Sequence, residues 1–331
     1  MRNIWPAVTG GLLTCTLAGV LLAGGRESPR RSVSGNGSSS TLSAGALDLL
    51  TQSGSYAENE YLLSRAEREL TRRCMGRQGH RYPVDQAGFL RQSDEDRGLN
   101  MNERRRHGYG LFAEYSTGPA HGNGREAADN ATAPPPAERA AYLHALRGSA
   151  GDVTAMQLPG GGEIVFSRVG CEAESRQRLY RSLTRWAQVR YVPQRLNLSV
   201  THRVKGDPAL AAAMRRWAEC MAVHGYRYSS PGDASDRLRV EYREVGPTAA
   251  LRRREIDIAL ADGRCASHLH IPSTVLTLKK RYANLLPAKD KLELEQLTRS
   301  WLATAATARS LASTGSPRLC CGRRTSPSAG T

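Results

Sequence analysis

The phrase CMGRQGHRY begins at Cys74, and CMAVHGYRY begins at Cys220. Cys, Met, Gly, Arg and Tyr recur in one ungapped register, so the chain is constrained to build one local object twice. Each copy closes a helical pattern. Over residues 58 to 77, Leu63, Ala66, Leu70 and Cys74 recur at helical spacing, which places Cys74 on the buried face of the last turns. Before the second copy, Asp207 is a good N-cap and Pro208 a good first residue. Leu210, Met214, Trp217, Met221 and His224 then follow along one face. Gly79 and Gly225 supply the left-handed exit that ends a helix, and an Arg-Tyr pair leads away in extended form.

A second cysteine follows each copy: Cys171 after Cys74, and Cys265 after Cys220. The intervening sequence predicts a β-hairpin over residues 153 to 169, with Val153, Ala155 and Gln157 alternating on one strand and Ile164 and Phe166 on the other, around the PGGG turn. A long helix is expected from Cys171, with Leu179, Leu183, Trp186 and Val189 on one face. Residues 116 to 137 read as a loop and ERAAYLHALRG as a short helix. Residues 248 to 264 read as a helix ending near Gly263, with Cys265 just beyond it. Residues 273 to 313 read as helical, interrupted at Pro287, with Leu285, Leu292, Leu297 and Trp301 as core positions. The expected fold is therefore mainly α with a small β-hairpin, in two related helical units over residues 56 to 200 and 201 to 314.

The chain begins with an early Arg2, an apolar stretch from Leu12 to Ala23 and then small residues and charge, the anatomy of a secretory signal or N-terminal anchor over residues 1 to 25. LLAGG resembles a lipoprotein cleavage box with Gly25 where the lipidated cysteine would stand, so a thioether lipid is not expected there. Residues 26 to 55 are rich in Ser and Gly and read as a flexible tether; residues 315 to 331, with Cys320 and Cys321, read as a disordered tail.

In an exported chain, disulfides are the leading account of four body cysteines. Four thiols allow three connectivities, and the repeat selects Cys74 with Cys171 and Cys220 with Cys265, each unit closing its own loop. The competing account is zinc, with Cys220, His224, Cys265 and His268 at ligand spacings and His270 in reserve. Gln78 stands where His224 stands in the second copy, so zinc requires the two copies to use one scaffold differently. His224 itself reads as a partly buried helix end. No Gly-x-Ser-x-Gly, His-Glu-x-x-His, P-loop or Cys-x-x-Cys-His pattern occurs. Glu219, Asp257 and Asp262 are the acids that a wall-cleaving hydrolase could pair in a cleft; each also reads as an ordinary helix-face charge.

The formal net charge of +16 attracts polyanions without any specific site. Aromatic residues make up only 6% of the chain, and Arg104 to Arg106 and Arg252 to Arg254 are short runs that read as solvated surface. Nucleic acid is accordingly not the expected partner. The lipobox-like start, the Cys-Met-x3-Gly-x-x-Tyr helix ends, GCEAESRQRLY, WAECMAVHGYRYSSP and EIDIALADGRC together resemble exported proteins and lipoproteins of high-GC actinobacteria, a group without an established activity. The likeness spans residues 56 to 305. It implies a secreted or envelope protein, while no cofactor follows from the residues. The leading expectation is a non-catalytic binding or structural protein, with acidic wall polymers, membrane head groups or an envelope protein as partner. An envelope hydrolase and a Cys/His zinc protein are the alternatives.

Overall fold

The computed structural model describes residues 41–82, 100–116 and 136–314, which belong to one compact unit. The expected signal, the tail and residues 117 to 135 of the loop expected over residues 116 to 137 lie outside the described residues, while Ser116 ends one helix and Pro136 opens another. The described residues are mainly helical with one two-stranded antiparallel hairpin. No helix among the described residues is long and apolar enough to cross a membrane.

Helix α1 (Ala44–Thr51) starts where Ser43 Oγ accepts a bond from the Ala46 N–H at 3.2 Å. It buries Ala46, Leu49 and Leu50, so the flexible tether expected through residue 55 gives way to packed structure by Leu42. Few apolar residues sit in that stretch, but four of them share one face. Helix α2 (Tyr56–Arg77) carries the first copy of the phrase. Two short helices follow, α3 (Met101–His107), capped by Asn100, and α4 (Leu111–Ser116), then α5 (Pro136–Arg147).

Strands β1 (Val153–Gln157) and β2 (Glu163–Ser167) pair with Met156 opposite Ile164 and Thr154 opposite Phe166. That register puts Thr154 and Met156 on the half-buried face and leaves Val153, Ala155 and Gln157 exposed, the reverse of the expected β1 face. Gly160, Gly161 and Gly162 all have positive φ, and Leu158 exchanges backbone bonds with the turn.

The long helix expected from Cys171 is two helices, α6 (Gly170–Tyr180) and α7 (Leu183–Lys205). Arg181 adopts a left-handed φ of 67°, and Ser182 caps α7 by accepting from the Arg185 N–H. Helices α8 (Pro208–Val223), α9 (Pro231–Val245), α10 (Ala249–His268), α11 (Ile271–Asn284) and α12 (Ala288–Thr314) complete the order. Asp207 caps α8 as expected.

Helix α10 does not stop at Gly263. A Cβ there would lie 2.5 Å from Met101 Sδ and 3.0 Å from Arg104 Cδ, so this glycine clears space for α3 inside a continuing helix. In α12, Leu297 and Trp301 are buried, joined by Leu294, Ala305 and Ala308; Leu292, on the opposite face, is exposed, as is Leu285 at the end of α11, where Leu286 turns inward instead.

Two main cores result. The first gathers α1, α2, α6, α7, α11 and α12 around Trp186 and Trp301, with Phe166 of the hairpin edge-on to Trp186 at 5.5 Å. The second gathers α4, α8, α9 and α10 around Trp217, Met221, Tyr242 and Ile258. The cores do not divide the chain at residue 200: α12 completes the first, and the segment from residue 100 to 116 serves the second.

Candidate functional site

The repeated phrase is a cystine-closed helix end in both places. In α2 the Gly79 N–H donates to Gly76 O and the His80 N–H to Met75 O; in α8 Gly225 donates to Ala222 O and Tyr226 to Met221 O. This pair of bonds satisfies carbonyls that the helix leaves open, and it requires a left-handed residue, here Gly79 at φ 78° and Gly225 at φ 83°. Met75 and Met221 are fully buried. Tyr82 and Tyr228 each fold back onto the cluster that contains their own copy's methionine.

The disulfides are Cys74–Cys171, with Cα atoms 5.4 Å apart, and Cys220–Cys265, with Cα atoms 5.8 Å apart. They tie α2 to α6 and α8 to α10. Sequence separations of 97 and 45 residues correspond to about 4 to 5 kcal/mol each on the chain-entropy account. Cys265 lies within α10 on its buried face, in the last turns of the helix, rather than after the helix end.

The surroundings of the two bridges differ. Cys74 and Cys171 are both buried, and Gln78 directs its amide nitrogen to Cys171 Sγ at 3.4 Å. Glu174 Oε2 lies 3.2 Å from Cys74 Sγ, a contact that carries no proton because the sulfur is bonded to Cys171, and Arg77 holds the other oxygen of Glu174 at 2.6 Å. In the second copy Cys265 is buried and Cys220 half-buried, and His224 is exposed rather than partly buried. A ring nitrogen of His224 and the sulfurs of Cys220 and Cys265 lie within 4.8 Å of one another. His268, exposed in the last turn of α10, is not a member of that cluster; His270, also exposed, begins α11 at a φ of 53°.

The acids named from sequence do not converge. Glu219 and Asp257 lie toward the surface of α8 and α10, and Asp262 is buried. Asp262 Oδ1 accepts from Trp217 Nε1 at 2.9 Å, and Oδ2 accepts from Arg104 Nη1 at 2.7 Å and Tyr109 Oη at 3.1 Å. Two turns earlier on α10, Glu255 accepts the Leu111 and Phe112 N–H groups at 2.8 and 3.0 Å and the Tyr242 hydroxyl at 2.7 Å. These two buried carboxylates hold the segment from Met101 to Phe112 against α10. Gly108 belongs to the same design, since a Cβ there would meet Glu255 Cγ at 2.7 Å. Arg104, expected as solvated surface, is thereby a half-buried structural cation, with its side chain 15% exposed.

The first core contains a related device that sequence reading missed. Glu60 Oε1 accepts from Trp301 Nε1 at 3.0 Å, and Oε2 from Arg190 Nη1 at 2.7 Å. Burial raises the Glu60 carboxyl above its ordinary range, opposed by Arg190 and Trp301. Burial, with the Glu60 charge adding to it, pushes the neighbouring Tyr56 up to about 12. The available signal was an acid at a helical position that otherwise carries core residues, three before Leu63.

Two adjacent helices rich in basic residues complete the picture. Helices α7 and α11 pack against one another. They carry Arg185, Arg190, Arg195, Arg203 and Lys205, and Lys279, Lys280 and Arg281, without an Asp or Glu on either helix. The Arg203 and Arg281 guanidinium groups lie 5.2 and 4.8 Å from the centre of the Tyr282 ring. Asp207 accepts from the Tyr282 hydroxyl and from Arg281. The Tyr282 hydroxyl, the Ala209 N–H and Arg281 together hold the Asp207 carboxyl below its usual range.

Compared with family models, curated proteins and solved structures, the chain matches none.

Proposed function

We propose that the chain is an exported, non-catalytic protein of the cell envelope that binds an anionic surface, the acidic polymers of the wall or the head groups of the membrane, through the face formed by α7 and α11. The observation that carries this reading is the concentration of cations on two adjacent helices that contain no acid of their own, with Arg190 and Arg281 engaged by Glu60 and Asp207 and the remainder including Arg203, Lys205 and Lys280. Like charges gathered on one face raise the local potential and draw polyanions in a salt-dependent manner. Two cystines support an oxidising compartment. The non-catalytic reading is supported by the engagement of Glu60, Glu255 and Asp262 with indole, guanidinium, hydroxyl and backbone donors of the protein itself. A general acid or base has to reach a proton on its substrate instead.

Co-sedimentation of the purified protein with isolated cell walls, and separately with phosphatidylglycerol and phosphatidylcholine vesicles, tests the reading. Binding to walls or to the anionic vesicles is expected at low salt, with loss as salt rises. Replacing Arg203, Lys205 and Lys280 by Gln should weaken it by about tenfold without lowering the melting temperature. Binding that ignores salt, or that survives the triple substitution, contradicts the assignment; the wall and vesicle arms identify which surface is bound.

A further inference from the structure

We propose that Cys220, Cys265 and His224 form a redox-gated site for zinc: closed while the two sulfurs are bonded, and able to take the ion once a dithiol has reduced them. Three ligand atoms of suitable type already converge within 4.8 Å. In a tetrahedral zinc site with Zn–S near 2.3 Å and Zn–N near 2.0 Å, ligand atoms stand about 3.5 to 3.8 Å apart. The imidazole therefore needs only a small adjustment to reach the ion, and opening the disulfide supplies the separation between the sulfurs.

Access is also asymmetric. Cys220 is half-buried and His224 exposed, whereas Cys265 is buried. A thiolate of the dithiol reaches Cys220 Sγ, forms a mixed disulfide there, and expels Cys265 as thiolate. The second thiol of the reagent then attacks its own sulfur in the mixed disulfide and releases Cys220. Two electrons pass to the protein, and the dithiol leaves as a disulfide. Zinc binding displaces the remaining thiol protons, leaving two thiolates and a neutral imidazole around the ion with one position for solvent.

The first copy lacks these features. Both of its sulfurs are buried, and Gln78, whose amide is a poor zinc ligand, stands where His224 stands in the second. The sequence difference between Gln78 and His224 thus separates a bridge that only closes a loop from one that alternates between bridge and metal site.

The experiment uses the full chain, reduced in steps with dithiothreitol, freed of reagent without air and mapped by mass spectrometry, with Co2+ as a spectroscopic substitute for zinc. Cys220 and Cys265 should appear as free thiols before Cys74 and Cys171. That species should bind one Co2+ with thiolate-to-cobalt charge-transfer absorption, which Zn2+ abolishes, and the oxidised protein should show none. His224→Gln should weaken Co2+ binding by about tenfold or more while leaving the oxidised protein's circular dichroism unchanged. The proposal is overturned if Cys74–Cys171 opens first, if the reduced protein gives no charge-transfer band, if it unfolds and zinc does not restore it, or if His224→Gln binds Co2+ as the parent does.

Discussion

Each main core places a tryptophan indole against a carboxylate that also holds an arginine, yet the two devices sit differently toward water. In the first core Glu60 joins Trp301 to Arg190, whose side chain is 41% exposed. In the second Asp262 joins Trp217 to Arg104, which is 15% exposed and also donates to Ala259 O. The first is a buried carboxylate with a cation that water can still reach. The second is a nearly dry ion pair that fixes a separate piece of chain to α10. Both devices join residues far apart in the chain, so what separates them is the exposure of the arginine.

The largest effect is expected where that difference is greatest. Asp262→Asn turns one of the two acceptor atoms into a donor facing Trp217 or Arg104, and it removes the carboxylate charge that Arg104 meets in a site that excludes water. A loss of about 3 to 5 kcal/mol in chemical unfolding follows. Glu60→Gln presents the same conflict, but Arg190 can turn to solvent, so the loss at neutral pH should be about 1 kcal/mol or less. The two variants also differ in pH dependence. The folded Glu60 carboxyl titrates above its unfolded value, so the folded state binds more protons between those two values. Its contribution is fully present below the unfolded value and is lost as pH rises through the folded one. Glu60→Gln should remove that part of the acid-side slope. Equal losses from the two substitutions would show that arginine exposure does not govern these sites.

A smaller effect tests the likeness between the helix ends. At Gly79 and Gly225 a β carbon would meet nothing within 4 Å, so substitution there costs left-handed strain without a clash. Gly79→Val and Gly225→Val should each lower the unfolding free energy by about 1 to 2 kcal/mol, whereas Arg215→Ala on the outer face of α8 should change it by less than about 0.5 kcal/mol. Thermal melting of the three variants beside the parent makes the comparison. A strongly unequal response of the two glycines would break the equivalence of the repeats.

Local patterns were the legible part of this chain. Cys-Met followed by a glycine at C′ encodes its own geometry within one turn, and duplication of the phrase supplied the pairing of four cysteines. The break at Arg181 was hidden because a non-glycine residue takes the left-handed conformation there, leaving Ser182 as the only sign of a new helix. Gly263 misled for the opposite reason, since a glycine that usually ends a helix here admits Met101 and Arg104. Neither the pairing of Glu60 with Trp301, 241 residues away, nor the clasp of residues 101 to 112 by Glu255 and Asp262 has a local signature, because both depend on which helices the fold brings together. The Cys220, His224 and Cys265 cluster was legible from spacing, whereas the exclusion of His268 from it required the helix to continue through Cys265.

The connectivity of the cystines tests the central claim, that each copy of the phrase is a helix end closed within its own unit. Mass spectrometry of a non-reduced digest of the purified protein should yield a peptide pair joining Cys74 to Cys171 and another joining Cys220 to Cys265. A pair that crosses between the copies, or free thiols at all four positions, would contradict the account.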